Sequence, residues 1–241
     1  MSANRPAPYP SENHARQALI ETCLQFAPLG LNQGKSGNAS LRWHRSAEDG
    51  MLVTPSGLAY ERMQIDDLVW VPLEQPAPHD HEPVLAPPPR FDGARVPSSE
   101  WRMHLDIYRA RREADAAVHV HSSYATTLAC LPAIQAAGIP AFHYMIAVAG
   151  GHDIRCARYA TFGTQALSDA ALAALADRRA CLLANHGQIA LGADLPQALS
   201  IALEVETLSR QYLQALQVGR PVVLSDEEMR RVLEAFTRYG R

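Results

Sequence analysis

Residues 116–121 read Ala116-Ala117-Val118-His119-Val120-His121. In an extended chain successive side chains point to opposite faces, so Val118 and Val120 share one face and His119 and His121 the other. The run predicts a strand from Ala116 to His121, with valines in an apolar core and two imidazoles side by side behind them. Two close imidazoles repel when protonated, and a shared cation satisfies them. A pair of hydrogen-bonded core histidines satisfies them as well, and this stretch alone leaves both readings open.

Further along, Ala180 to Ala184 reads as a buried strand that runs into Asn185-His186-Gly187 and a second short strand, Gln188 to Leu191. His186 thus sits at a strand-end turn, where functional groups collect. Three histidines match the three protein ligands of a catalytic zinc and leave one position open. Upstream lies Pro97-Ser98-Ser99-Glu100. Ser98 or Ser99 is expected to cap a helix from Glu100 to about Arg112. There Glu100 is either a solvated first-turn acid favoured by the helix dipole, or an acid/base or displaceable fourth ligand beside a metal. Three segments rich in small residues, Ser36-Gly37-Asn38-Ala39-Ser40, Thr54-Pro55-Ser56-Gly57 and Ser98-Ser99, are ordinary turns taken singly. Brought together, their N–H groups and hydroxyls would cradle a phosphate.

The rest of the chain alternates helices and strands without clean βαβ periodicity. Helices are expected from Ser11 as N-cap and over 125–131, 165–176, 196–218 and 225–238, and strands over 40–43 and 51–54, with apolar runs over 68–71 and 141–148. Residues 1–10 read as a loose arm, and 11–241 as one α/β domain. Seven prolines between residues 75 and 97 forbid a helix there and predict an extended surface loop. His79 and His81 lie in that loop, where a two-residue spacing fixes no common face.

Composition bounds the partners. The 241 residues carry a formal charge of −3 and are 47% hydrophobic. That balance gives no reason to expect nucleic acid or an anionic membrane as partner. No apolar run approaches the roughly 20 residues of a membrane helix. The polar, Pro-rich start does not resemble a secretory signal, so a cytoplasmic protein is expected. Cys23, Cys130, Cys156 and Cys181 are scattered and read as reduced, small buried hydrophobes. Of the 22 basic residues only Lys35 is lysine. Its polar loop offers no apolar pocket to depress an amine pKa, which argues against Schiff-base chemistry.

Seven segments, GKSGNASLRW (34–43), MLVTPSGLAYERM (51–63), PSSEWRMHLDIYRARREADAAVHVHSSYATTLACL (97–131), HYMIAVAGG (143–151), YATFGT (159–164), CLLANHGQIALG (181–192) and LSDEEMRRVLEAFTRYG (224–240), resemble in order and spacing the class II aldolase/adducin-head family. The resemblance implies an α/β fold of the α+β type: a central, mainly antiparallel sheet flanked by helices in three layers. It implies one zinc ion per chain on His119, His121 and His186, with Glu100 as acid/base. A phosphate site would come from Gly37, Asn38, Ser56, Gly57, Ser98 and Ser99. Tyr144 would be supplied to a neighbouring subunit of a homotetramer, and Phe236 and Tyr239 would close over the aldehyde end. The implied reaction is cleavage of a ketose 1-phosphate, of the L-fuculose kind, to dihydroxyacetone phosphate and an aldehyde. Within the family the rivals are an aldolase for 5-deoxyribulose phosphate, a 4-epimerase, a dehydratase and a decarboxylase. The epimerases carry Asp where this chain has Glu100. A non-catalytic module like the adducin head lacks the ligand histidines that are present here.

Overall fold

A computed structural model describes residues 9–46, 48–76 and 86–237. The chain opens with helix α1 (Glu12–Leu24), capped as expected by Ser11, whose hydroxyl accepts the His14 N–H. Strands β1 (Asn38–Arg45), β2 (Glu48–Val53) and β3 (Val69–Pro72) follow as an antiparallel meander. Then come α2 (Trp101–Ala110), β4 (Ala116–Val120), α3 (Ser123–Ala129), α4 (Pro132–Ala137), the two-residue strands β5 (Ile139–Pro140), β6 (Asp153–Ile154) and β7 (Cys156–Ala157), and α5 (Gln165–Ala174). Strands β8 (Ala180–Leu183) and β9 (Gly187–Gly192) form a hairpin, and α6 (Leu195–Val218) and α7 (Asp226–Phe236) end the described chain.

Seven strands make one sheet in the order β3-β2-β1-β4-β9-β8-β7, antiparallel except between β7 and β8. Strand alternation splits the core in two. Ala39, Leu41, Val118, Val120 and Ala190 face a cluster with Leu19 and Cys23 of α1 and Ala198, Ala202 and Val205 of α6. Met51, Val53, Ala117, Ile189 and Leu191 face a second cluster with Leu105, Ile107 and Tyr108 of α2 and Leu167 and Ala171 of α5. These are the three layers that the resemblance implies. In β4, His119 has the same parity as Ala117, so it points to the α2 side.

Several local expectations need correction. Neither Ser98 nor Ser99 caps α2. Glu100 itself occupies the N-cap position without a capping side chain, and the helix begins at Trp101. Ser98 instead holds the turn: its hydroxyl accepts the Glu100 N–H and its carbonyl the Trp101 N–H. Helix α4 was not foreseen; Pro132 sits in its first turn, where a missing N–H is harmless. The apolar run 141–148 holds a 3₁₀ helix, Tyr144–Ala149. Cys130 is exposed and Cys156 half-buried, whereas Cys23 and Cys181 are buried, and all four are free thiols. The described ends of the Pro-rich loop are tied down, Asp92 bridging to Trp70 and Pro97 to Pro55. His79 and His81 lie outside the described residues, as do residues 1–8 of the arm. Among the described residues no helix is long and apolar enough to cross a membrane.

The start of α3, just after the histidine strand, is pinned from α6. Glu206 accepts the Tyr124 and Ala125 N–H groups, each at 2.9 Å. Hydrogen bonds to a charged group contribute about 1.5–3 kcal/mol. Glu206→Ala is therefore expected to lower Tm by several degrees, and Glu206→Gln by less. Thermal unfolding followed by circular dichroism checks this.

Candidate active site

Three backbone segments deliver three imidazoles to one point. His119 lies next to last in β4, and its wholly buried ring bonds through Nδ1 to the Gln188 carbonyl of β9 at 2.8 Å. That bond requires a proton on Nδ1, so in the neutral ring Nε2 is bare and free to bind a cation. His121 follows the end of β4, where its N–H donates to Asn32 Oδ1 at 3.1 Å. His186 occupies the tight turn between β8 and β9, where Asn185 takes φ of +54°. Gly187 has no alternative: a Cβ there would sit 2.4 Å from the Val120 carbonyl oxygen. The ring centroids stand 4.7–4.9 Å apart, pair by pair.

Glu100 enters the cluster from the start of α2. It is 4% exposed, with Oε2 3.0 Å from His119 Nε2 and Oε1 3.4 Å from His186 Nε2. Asn38 Nδ2 donates to Oε2 at 2.9 Å. Oε1 has no hydrogen-bond partner. Burial works against the charged carboxylate, but His119, His186 and the Asn38 amide outweigh it and hold the carboxyl below the usual range. Burial, with the neighbouring rings, pushes His121 down to about 3 and His186 to about 4. At His119 burial is overcome by Glu100, which raises its pKa.

One ligand atom from each of the four residues lies within 4.8 Å of the others. A buried carboxylate with an unpartnered oxygen beside three converging nitrogens fits a divalent cation. It fits a purely structural polar core poorly, because such a core would satisfy Oε1.

Beside this cluster opens a cleft of about 640 Å³. Backbone bonds bring its walls together: Ser98 N–H to Thr54 O at 2.9 Å and Ser56 N–H to Val96 O at 3.0 Å. Residues 36–38, 55–57 and 98–100 line one side, and Tyr159, Phe162, Asn185 and His186 another. Residues 17–213 match the family described as Class II Aldolase and Adducin N-terminal domain. The chain belongs to that family.

Members of known activity align with nearly the whole chain. A 5-methylthioribulose-1-phosphate/5-deoxyribulose-1-phosphate aldolase of Rhodospirillum rubrum is 47% identical, covering 93% of this chain and 92% of its own. An L-fuculose phosphate aldolase of Escherichia coli K12 is 43% identical, covering 95% and 96%. Among solved structures, an L-fuculose 1-phosphate aldolase superposes with a TM-score of 0.80 at 40% identity, covering 92% of this chain and 95% of that one.

The class II aldolase fold brings Gly37, Asn38, Ser56, Gly57, Ser98 and Ser99 to the cleft alongside Glu100, His121 and His186. It does not bring all the expected residues there within one chain. Tyr144 is 51% exposed, stacked on His143, and outside the cleft lining. Phe236 packs against the core at the end of α7. Tyr239 lies outside the described residues.

Asn32, Tyr60 and His104 were not singled out from sequence, and Lys35 was weighed there only as a Schiff-base amine. Asn32 braces the His121 backbone and donates to Tyr60 Oη, which in turn donates to the Gly37 carbonyl. Lys35 lines the cleft and donates to the Gly57 carbonyl at 2.7 Å. His104 bonds Asn38 Oδ1 at 2.6 Å, and its place four residues after Glu100 was the available signal, since i and i+4 share a helix face.

A cation on these rings requires all three neutral, so binding releases the proton that Glu100 favours on His119. Divalent metal content, measured by mass spectrometry after dialysis, should be about one ion per chain near neutrality and should fall as pH drops. His121→Ala is expected to lose the metal.

Proposed function

We propose that this chain is a zinc-dependent aldolase that cleaves a ketose 1-phosphate to dihydroxyacetone phosphate and an aldehyde. The observation that carries the reading is a metal-type cluster, with its own buried carboxylate, opening directly onto a cleft walled by N–H and hydroxyl groups. The aldolases named among the relatives act on ketose 1-phosphates that share a phosphate-bearing head and differ beyond it. The residues facing the head end, Ser56, Gly57, Ser98 and Ser99, support that shared half. An L-fuculose 1-phosphate-like ketose is the proposed substrate, with 5-deoxyribulose and 5-methylthioribulose 1-phosphates as the rivals that the 47% identical relative favours. Glu100, where the family's epimerases carry Asp, supports cleavage over epimerisation.

Breaking the C3–C4 bond leaves negative charge on an enediolate. His119, His121 and His186 would hold a zinc ion, which would supply Lewis-acid stabilisation of negative charge, the part an iminium lysine plays elsewhere. This suits a chain whose one lysine lies in a polar loop. The serine hydroxyls and glycine N–H groups anchor the phosphate and so orient the bond to be broken. Glu100 delivers a proton to C3 after cleavage and removes it in the synthetic direction. Its pocket favours the ionised form, which the synthetic direction uses as base; for cleavage it first takes up a proton from solvent. Tyr144 from a neighbouring subunit relays the C4 hydroxyl proton to solvent as the aldehyde forms, within a homotetramer whose sites lie between subunits. Its exposed ring, outside its own chain's cleft, supports that assignment. Phe236 and Tyr239 close over the aldehyde end.

A screen of purified protein across ketose 1-phosphates, detecting released dihydroxyacetone phosphate, tests the reading. Turnover of none of them would sink it. Glu100→Gln is expected to retain metal and to slow exchange of the C3 proton of dihydroxyacetone phosphate by roughly 10²–10⁴-fold, the range for general acid–base groups. Nuclear magnetic resonance in deuterated buffer reads that rate. Mixing Tyr144→Phe and Glu100→Gln chains under conditions of subunit exchange should restore activity, because some interfaces then combine two intact groups. Activity no higher than the two parents' would place Tyr144 outside the neighbour's site.

A further inference from the structure

Behind Glu100, away from the cleft, runs a line of buried polar groups. Asn38 Nδ2 meets Glu100 Oε2 at 2.9 Å, and Asn38 Oδ1 meets His104 Nε2 at 2.6 Å. His104 Nδ1 meets Ser40 Oγ at 2.6 Å, and Ser40 Oγ meets Tyr108 Oη at 2.8 Å. Ser40 and His104 are wholly buried, and Tyr108 is 1% exposed. None of Ser40, His104 and Tyr108 lines the cleft.

The chemistry of the first member sets the direction of every bond. A carboxylate only accepts, so Asn38 must turn its NH₂ toward Glu100 and its carbonyl toward His104. A carbonyl only accepts, so His104 must carry its proton on Nε2. Burial, with His119 adding to it, pushes the imidazolium pKa of His104 down to about 3, so the ring is neutral and Nδ1 is bare. Ser40 then donates to Nδ1 and accepts from the Tyr108 hydroxyl. The other tautomer would set a bare Nε2 against the Asn38 carbonyl. Relieving that contact requires flipping the amide, which sets its carbonyl against the Glu100 carboxylate.

We propose that His104 is a positioning residue, locked by Ser40 in its Nε2–H tautomer, and that it fixes the Asn38 amide and through it the Glu100 carboxylate. It touches neither substrate nor metal. Its catalytic consequence rests on the acid–base reading of Glu100; its tautomer does not.

The test uses full-length protein labelled with ¹⁵N-histidine. The His104 signals are identified by their absence in His104→Gln. A proton on Nε2 and a bare Nδ1, in metal-loaded and metal-stripped protein alike, is the expected result. An Nδ1–H tautomer or an imidazolium overturns the relay, whatever Glu100 does. Ser40→Ala removes the donor to Nδ1, a neutral hydrogen bond. It should mix the tautomers and slow C3 proton exchange of dihydroxyacetone phosphate about three- to tenfold, with metal content and KM unchanged, and Ser40→Thr should restore both readings. Wild-type exchange in metal-loaded Ser40→Ala overturns the positioning role. An Nε2–H tautomer together with wild-type exchange in Glu100→Gln overturns the acid–base reading of Glu100, and the catalytic half of this proposal with it.

Discussion

The structure depends on holding one ionised carboxylate out of water. Burying a carboxylate alone is costly enough that it would take up a proton instead. Here three imidazoles, an asparagine amide and the start of a helix surround Glu100, and the cost is met by groups from four separate stretches of chain. Each must then be placed to within a few tenths of an ångström, and the sheet does this. β4 pairs with β1 on one side and β9 on the other, so Asn38 lies opposite His119 and His119 opposite Ile189. One slip in register would turn the histidine strand over and bury its imidazoles among the residues of α1 and α6.

The same alternation explains why the two faces of the sheet differ in kind. The α6 face is purely apolar along β4, and it supplies the bulk of the hydrophobic contact that keeps the strands in place. The α2 face mixes aliphatic side chains with polar ones, His119, Asn38 and Ser40, that could not be buried without partners. Those partners come from α2, whose successive turns contribute Glu100, His104 and Tyr108. The helix thus works as a strip of polar groups matched to the polar positions of β1 and β4.

Much of this was legible in the sequence, and for definite reasons. Alternating with valine, the two-residue histidine spacing is a strand signal, and the alternation predicts correctly which face of the strand is wholly apolar. Asn185-His186-Gly187 reads as a turn because of its glycine. What could not be read was convergence: nothing local says that the loops at 37, 56 and 98 meet, because the bonds between Thr54, Val96 and their partners are long-range backbone pairings. The start of α2 was misread for a related reason. Ser98 and Ser99 have the composition of a helix cap, but the backbone of that turn is committed to Thr54, and the helix begins after it. His104 was overlooked because a lone histidine inside an amphipathic helix reads as an ordinary core residue until its partners are in view.

Lys35 carries a consequence of another kind. It is the chain's one lysine, and it lines the cleft with its ammonium on the Gly57 carbonyl. Apart from the α-amino terminus, amine-directed acylation therefore has a single address in the folded chain. A fluorescent or isotopic tag placed there sits in the cleft lining, and its signal would register the filling and emptying of the cleft without altering Glu100 or the three histidines.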